Sequence, residues 1–305
     1  MQIIDVHSHV LPGVDDGAQD LEEALEALRT LVSEGVERVV ATPHFRGSLL
    51  ERPRRAGERL EVFDAAYELL VEAARTRGLE IEIDRGVEFK LDVPEIDLSD
   101  ARLRLGGTRY ALVEFASFQL PPFAGNQLRA VLDAGWTPVL AHPERYFGVE
   151  RALDRVAEWV EGGVLLQVNL RSLAGGYGPG ARQVAEALLA AGRVCCVASD
   201  YHCREEPGWA AAVSRFDAAE LVDRVETAER LDRGEVAERE EPLVAGEPGV
   251  ADQAGAGGDA AARAAAAGRA LMHGNPARLL ADEPPAAVSP LTYGAAPGGG
   301  RRRWR

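Results

Sequence analysis

Two clusters of metal-binding residue types lie far apart in the chain. His7-Ser8-His9 follows a short apolar run at residues 3–6, and Asp200-Tyr201-His202 repeats the spacing after another at 194–198. If those runs are strands, side chains alternate with period two, so both members of each pair leave the same side. Either pair alone would also suit two exposed polar residues; two in one chain support each other. Five of the six histidines, His7, His9, His44, His142 and His202, lie in polar tips of this kind, and His273 does not. Glu88 and Glu114 follow apolar residues, and an unpaired buried carboxylate is costly. Cations between them remove that cost, and a carboxylate can bridge two metals about 3.5–4 Å apart. A salt bridge to an arginine is the alternative. Imidazole and carboxylate together suit zinc, manganese or iron without a thiolate.

The elements that must carry these residues alternate. Strand candidates cover 3–6, 38–41, 80–85, 110–113, 138–141, 164–168 and 194–198, and helix candidates 21–34, 54–76, 126–134, 149–161 and 181–191. The first helix carries Asp20 as its cap, with Glu23 as the reciprocal partner. Leu21, Leu25, Leu28 and Val32 give it an apolar face. Such alternation predicts an α/β fold with a parallel sheet, and seven strands suggest closure into a β/α barrel. His7, His44, Glu88, Glu114, His142 and Asp200 each fall at or just beyond the C-terminal end of a strand candidate, the face on which barrel enzymes build their sites.

Bulk composition narrows the function. The chain has 305 residues, 46% of them apolar, enough for one large domain. No window resembles a membrane span of about 20 apolar residues, so the protein is not expected to be membrane-embedded. The N-terminus lacks a signal-peptide pattern, which makes the cytoplasm the expected location. A net charge of -15 argues against nucleic acid as a partner. Bound cations can nevertheless hold a phosphate ester on an acidic protein. Cys195, Cys196 and Cys203 form neither a disulfide framework nor a C-x-x-C site. Residues six beyond them are Tyr201, His202 and Trp209, so the C-x5-R arrangement of cysteine-based tyrosine phosphatases is excluded.

In order and spacing, D-V-H-S-H-V-L-P-G-V-D-D-G, A-T-P-H, G-V-E-F, A-L-V-E-F, A-H-P-E-R-Y and A-S-D-Y-H resemble the polymerase and histidinol phosphatase superfamily. Within it they are most similar to the bacterial protein-tyrosine phosphatase branch linked to capsular and extracellular polysaccharide synthesis. The resemblance covers about residues 1–225 and resumes at G-N-P-A-R-L-L. It implies a distorted, TIM-like β/α barrel holding two or three divalent metal ions, manganese first, with iron or zinc as alternatives. Carried over by motif, His7, His9, Glu88 and Asp200 would hold one ion. Glu88, Glu114 and His142 would hold a second, and Asp16, His44 and His202 a third. Asp15 takes a structural role. Arg145, in H-P-E-R-Y, would grip the phosphoryl group. The family often has an arginine soon after the last S-D-x-H histidine; Arg204 is near, but Cys203-Arg204-Glu205-Glu206 does not align cleanly, so Arg204 ranks behind Arg145.

The chemistry implied is in-line attack of metal-activated water on phosphorus. The partner would be the phosphotyrosine-bearing tail of a bacterial tyrosine kinase that controls polysaccharide assembly. A small-molecule phosphatase such as histidinol phosphatase is the rival reading within the superfamily, and an inactive metal-binding scaffold is the rival from another class. A nuclease-like module is disfavoured by the acidic balance.

Residues 1–232 are expected to form the barrel, 233–268 a low-complexity disordered insert, 269–282 a terminal helix returning to the barrel, and 283–305 a disordered tail ending R-R-R-W-R. The insert is rich in Ala, Gly and Glu and poor in large apolar side chains. Deleting about residues 238–262 should therefore leave aryl-phosphatase activity nearly intact; loss of soluble folded protein would show that the segment packs on the barrel.

Overall fold

A computed structural model describes residues 2–213 and 265–290. Most of the expected insert, and the tail beyond residue 290 with its R-R-R-W-R end, lie outside the described residues. The strands are β1 (Ile3–Ser8), β2 (Val36–Ala41), β3 (His44–Arg46), β4 (Glu82–Arg85), β5 (Glu88–Leu91), β6 (Tyr110–Phe115), β7 (Thr137–Ala141), β8 (Leu165–Asn169) and β9 (Cys196–Ala198). All pairings among them are parallel, in the orders β1-β2-β4 and β3-β5-β6-β7-β8-β9.

Nine segments occupy seven stave positions because two staves are broken. Pro43, which has no N–H to give a ladder, follows β2. Gly86 separates β4 from β5, where a Cβ would lie 3.2 Å from the Arg104 carbonyl oxygen. The Gly86 N–H donates to Ala41 O and the Glu88 N–H to Pro43 O, so the broken staves stay side by side. His44 and Glu88 thus begin new segments instead of ending old ones. The register of β3 on β5 sets them opposite each other. Between the last strand and the first, a Ser8–Tyr201 bridge and the bonds from Asp200 N–H to His7 O and His9 N–H to Tyr201 O join the seam. The architecture is a distorted β/α barrel.

Helices α1 (Leu21–Ser33), α2 (Pro53–Thr76), α3 (Ala124–Asp133), α4 (Leu153–Glu161), α5 (Leu170–Ala174) and α6 (Gly178–Ala190) surround it. Asp20 caps α1 by accepting from the Glu23 N–H, and the Glu23 carboxylate accepts from the N–H of Gln19, one residue before the expected partner. Ala24, Leu25, Leu28 and Leu31 bury the inner face of α1, with Leu21 and Val32 at its edges. Among the described residues no helix is long and apolar enough to cross a membrane.

The barrel interior holds Ile4, Val6, Val40, Leu112 and Val139, and Leu279 joins them from α7 (Asn275–Leu280). Helical backbone is already present at residue 265, and Ala267 is buried, so packing begins before the position at which composition ended the insert. Residues 283–290, assigned by composition to a disordered tail, also lie against the barrel. Buried Asn275 donates to Cys195 O and to Ala286 O and accepts from the Ala286 N–H, while Tyr110 Oη donates to Glu283 O. One polar side chain thereby ties the returning chain to Cys195, the residue just before β9, which composition cannot reveal.

Leu271, in the π-helical turn Ala270–Gly274 before α7, is fully buried. Leu271→Ala should cost about 2–5 kcal/mol in denaturant unfolding; a loss well under 1 kcal/mol would show that the returning segment is not integral to the core.

Candidate metal centre

The strand termini and the loops beside them bring all nine candidate ligands to one mouth of the barrel. His7 lies in β1, and its Nδ1 is 2.9 Å from Gln167 Oε1 on β8. His9 Nδ1 is 2.8 Å from Asp15 Oδ2. A ring that donates Nδ1–H to an acceptor presents the Nε2 lone pair on its other side. Both Nε2 atoms lie 3.3 Å from Asp200 Oδ1, and 3.5 and 3.6 Å from Glu88 Oε2. His142 Nε2 is 2.9 Å from Glu88 Oε1. His44 Nδ1 is 2.8 Å from Glu88 Oε2 and 3.2 Å from Glu114 Oε1, and its Nε2 is 3.5 Å from Asp16 Oδ1. His202 Nε2 also lies 3.5 Å from Asp16 Oδ1.

Four overlapping groups have donor atoms close enough to share an ion: His7–His9–Asp200, His7–Glu88–His142, His44–Glu88–Glu114 and His9–Asp16–His44–His202. The grouping is more interlocked than the family pattern implies. His44 reaches towards Glu88 and Glu114, His142 lies with His7 and Glu88, and His9 comes within reach of the outer set. The donors also fit a cation by what they lack. Buried His44 Nδ1, Glu88 Oε2, Glu114 Oε1 and His142 Nδ1 make no hydrogen bond of normal geometry, although His44 Nδ1 lies within ion-pair distance of both carboxylates. Buried polar atoms are rarely left so, and divalent ions bound among nitrogen and oxygen donors would satisfy several at once. The only cationic side chain beside Glu114 among the described residues, other than His44, is Lys90, 3.1 Å away, where the sequence alternative had an arginine.

Local backbone serves the same end. His142 and Asp200 both have left-handed conformations, with φ of 36° and 54°. Such strain in non-glycine residues concentrates at functional sites. Gly17, third in D-D-G, packs so tightly that a Cβ would come within 1.9 Å of the His9 carbonyl oxygen. Asp15 then accepts from the Gly17 and His44 N–H groups as well as from His9. Burial opposes ionisation of Asp15, but the His9 bond and these N–H donors win and hold its pKa at about 2. Asp16, by contrast, is largely exposed.

The cluster balances charge internally. Burial alone would keep Glu88 and Asp200 protonated, yet neighbouring imidazoles, His7 foremost, hold both carboxyls below their usual range. In return, burial opposes protonation of His44, but Glu114 and Glu88 raise its pKa to about 10. His202 is pushed down by burial and by His9.

Arg145 Nη1 donates to Asp200 Oδ2 at 2.6 Å, and its guanidinium carbon lies 4.6 Å from the Phe118 ring centre and 4.1 Å from that of Tyr177. It does not pair with Glu144, whose carboxylate accepts from the Asn169 N–H and Ser172 Oγ. Arg204 points outward, donating to Gly17 O at 3.1 Å with Glu23 at 3.8 Å. Both arginines line a cavity of ≈ 330 Å³ with Asp16, Asp200 and His202. Asn169 donates to Asp200 Oδ2, and Gln167 donates to Asn169. Sequence reading missed this pair, although Gln167-Val168-Asn169 has the same alternating spacing as His7-Ser8-His9. Phe118 and Tyr177, which sandwich Arg145, carried no sequence signal.

A family profile described as "Capsular polysaccharide synthesis, CpsB/CapC" matches residues 3–215, a span that includes every candidate ligand and both arginines. The tyrosine-protein phosphatase YwqE of Bacillus subtilis is 31% identical over 202 residues, covering 66% of this chain and 77% of that protein. The tyrosine-protein phosphatase CpsB of Streptococcus pneumoniae is 34% identical over 169 residues, covering 55% and 67%. A solved structure from work on YwqE and CpsB, described there as unique metal-dependent tyrosine phosphatases, matches with a TM-score of 0.60 at 26% identity. The match covers 80% of this chain and 100% of that one.

The three bonds made by Asp15 lead to a prediction. Asp15→Asn removes the negative charge opposite His9 Nδ1 and one acceptor, which should weaken metal binding about 10–100-fold, read by competition with a chromophoric chelator. Unchanged affinity would mean that Asp15 does not set the orientation of His9.

Proposed function

The chain belongs to the CpsB/CapC family of capsular polysaccharide synthesis, and from that premise we propose that it is a metal-dependent protein-tyrosine phosphatase. Its substrate in this reading is the phosphotyrosine-bearing tail of a bacterial tyrosine kinase that regulates capsular or extracellular polysaccharide synthesis, and its location is the cytoplasm. The observation that carries the proposal is the group of buried donor atoms without well-formed hydrogen bonds on His44, Glu88, Glu114 and His142, with Arg145 close beside them on Asp200.

His7, His9, Asp16, His44, Glu88, Glu114, His142, Asp200 and His202 would hold two or three divalent ions, manganese first and iron or zinc as alternatives. When bound, such ions supply Lewis-acid polarisation of a phosphoryl group and a nucleophile from water near neutral pH. Gln167 and Asp15 hold the rings of His7 and His9 so that their Nε2 atoms face the cluster. Arg145 offers a planar fork of N–H donors to phosphoryl oxygens, and the rings of Phe118 and Tyr177 fix that plane. A phenolate leaves readily, since tyrosine has a pKa of about 10. The chain therefore needs no strong general acid for the leaving group, and Arg204 remains the second candidate for contact with the substrate.

Elemental analysis of freshly prepared, metal-supplemented protein should find two or three ions per chain; at most one would sink the cluster. With manganese added, the protein should turn over a phosphotyrosyl peptide in preference to histidinol phosphate, and the reverse preference would select the small-molecule reading. Arg145→Ala should keep fold and metal content but lose about 2–4 kcal/mol of transition-state stabilisation, or about 10²–10³ in kcat. Arg145→Lys should recover only part, because an ammonium lacks the fork. Near-normal turnover by Arg145→Ala with full metal content would transfer the role to Arg204.

A further inference from the structure

Beside the metal-binding mouth, a groove of ≈ 540 Å³ runs outward from Arg145 between the 118–150 loops and the start of α6. Its walls include Phe118, Phe147, Tyr177, Pro179 and Val184. Phe118 and Phe147 are 44% and 71% exposed, in a protein whose other large apolar side chains are mostly buried among the described residues. Exposed apolar surface of this kind marks binding sites more often than chance exposure does when it lines one concavity.

The groove is rigidly built. The Phe147 N–H donates to Phe118 O at 2.7 Å, and Phe147 O accepts from the Leu120 N–H and from Gln119 Nε2. Two loops are thereby fastened together and hold the Phe147 ring out into solvent. The groove adjoins the inner cavity, and Arg145 and Tyr177 line both. A phosphoryl group on Arg145 would leave its aryl ring against Phe118, whose own ring centre lies 6.1 Å from that of His142. The groove extends well past one aryl ring, towards Phe147. A group covalently attached to the phosphorylated residue can extend there, against a wall that is mainly apolar although Glu150 also lines it.

We infer that this groove is a specificity subsite for the polypeptide next to the phosphotyrosine, and that it selects an apolar side chain there. The inference rests on the phosphatase reading of the metal-binding mouth and adds a substrate preference to it. Phe147 is the specificity-determining residue and touches none of the proposed reacting groups. Truncating an aromatic anchor of this kind commonly costs a complex several-fold or more in affinity.

The test compares two phosphotyrosyl peptides that differ only in the neighbouring residue, leucine or serine, with p-nitrophenyl phosphate as a substrate too small to reach Phe147. The manganese-loaded full chain should show a lower KM for the leucine peptide by about five- to twenty-fold. Phe147→Ala should abolish that preference and leave p-nitrophenyl phosphate turnover unchanged. Gly180→Trp provides an independent block. A Cβ on Gly180 meets nothing within 4 Å, and Gly180 lines the groove that the indole is meant to fill. It too should erase the preference. Equal KM values for the two peptides with the unsubstituted protein, or a preference that survives both substitutions, overturns the inference while leaving the phosphatase reading intact. A shift in oligomeric state on Phe147→Ala with no change in peptide KM assigns the groove to a second copy of the chain and also overturns it. If the unsubstituted protein hydrolyses none of the three substrates, the phosphatase reading fails and the inference falls with it.

Discussion

Glu88 is a fully buried carboxylate approached by four imidazoles, and Asp200 and Glu114 stand close by, almost as deeply buried. Charges removed from water at this depth must be compensated or neutralised, since the desolvation penalty per ion amounts to several kcal/mol in real proteins. Without an ion, compensation falls to the histidines. Protonation of His7, His9 and His44 is favoured by the carboxylates beside them, and Glu88 and Asp200 stay ionised because of neighbouring imidazoles. A divalent cation does the same work more directly, but imidazole binds metal only when neutral. Metal uptake by such a cluster therefore displaces protons from the rings it recruits. Protons and metal ions are alternative solutions to one electrostatic problem, and the surrounding architecture keeps that problem buried.

The barrel meets this constraint by departing from regularity. An unbroken stave would carry its side chains past the mouth at a fixed pitch. The breaks at Pro43 and Gly86 restart two strands at the site, so that His44 and Glu88 begin their segments in register with each other. At the other staves the turn comes after the strand, and the left-handed backbones of His142 and Asp200 swing those side chains inward. The seam between β9 and β1 has few ladder bonds. Asp5 compensates by accepting from the Ser199 N–H and Oγ, the Trp209 indole N–H and the His7 N–H. That buried carboxyl links the two stretches carrying His7 and Asp200, so the join between β9 and β1 is reinforced beneath the candidate ligands.

Much of this was legible in the sequence. A strand's period of two makes His7-Ser8-His9 and Asp200-Tyr201-His202 readable as pairs without coordinates, and apolar runs ending in polar tips locate the barrel mouth. The stave breaks were less legible, because Thr42-Pro43 and Gly86-Val87 read equally well as strand ends or as interruptions. The relative roles of Asp15 and Asp16 depend on which carboxylate faces the His9 ring, and adjacent residues differ in that only through turn geometry. The ordering of 283–290 was not readable, because it depends on Asn275, a single side chain whose burial follows from tertiary packing. Gln167 and Asn169 were missed because neutral amides look like ordinary strand-end polarity until their partners are known.

The arginines show how an acidic chain can accommodate a phosphate ester. A net charge of -15 repels anions at long range, but screening removes most of that effect beyond about 10 Å at ordinary ionic strength. At contact distance, the disposition of individual groups decides. Arg204 is already committed outward, to the Gly17 carbonyl and towards Glu23. Arg145 is held differently: two aromatic rings fix its plane, and a single carboxylate oxygen, Asp200 Oδ2, takes one of its N–H groups. Stacking restricts the orientation of the guanidinium without using its other donors, so less entropy remains to be lost when an anion arrives. Asp200 also shares that oxygen with Asn169. The arginine is thus tethered to the donor cluster by an interaction that leaves most of its fork available, which is why contact with phosphoryl oxygens is proposed for Arg145 and not for the more exposed Arg204.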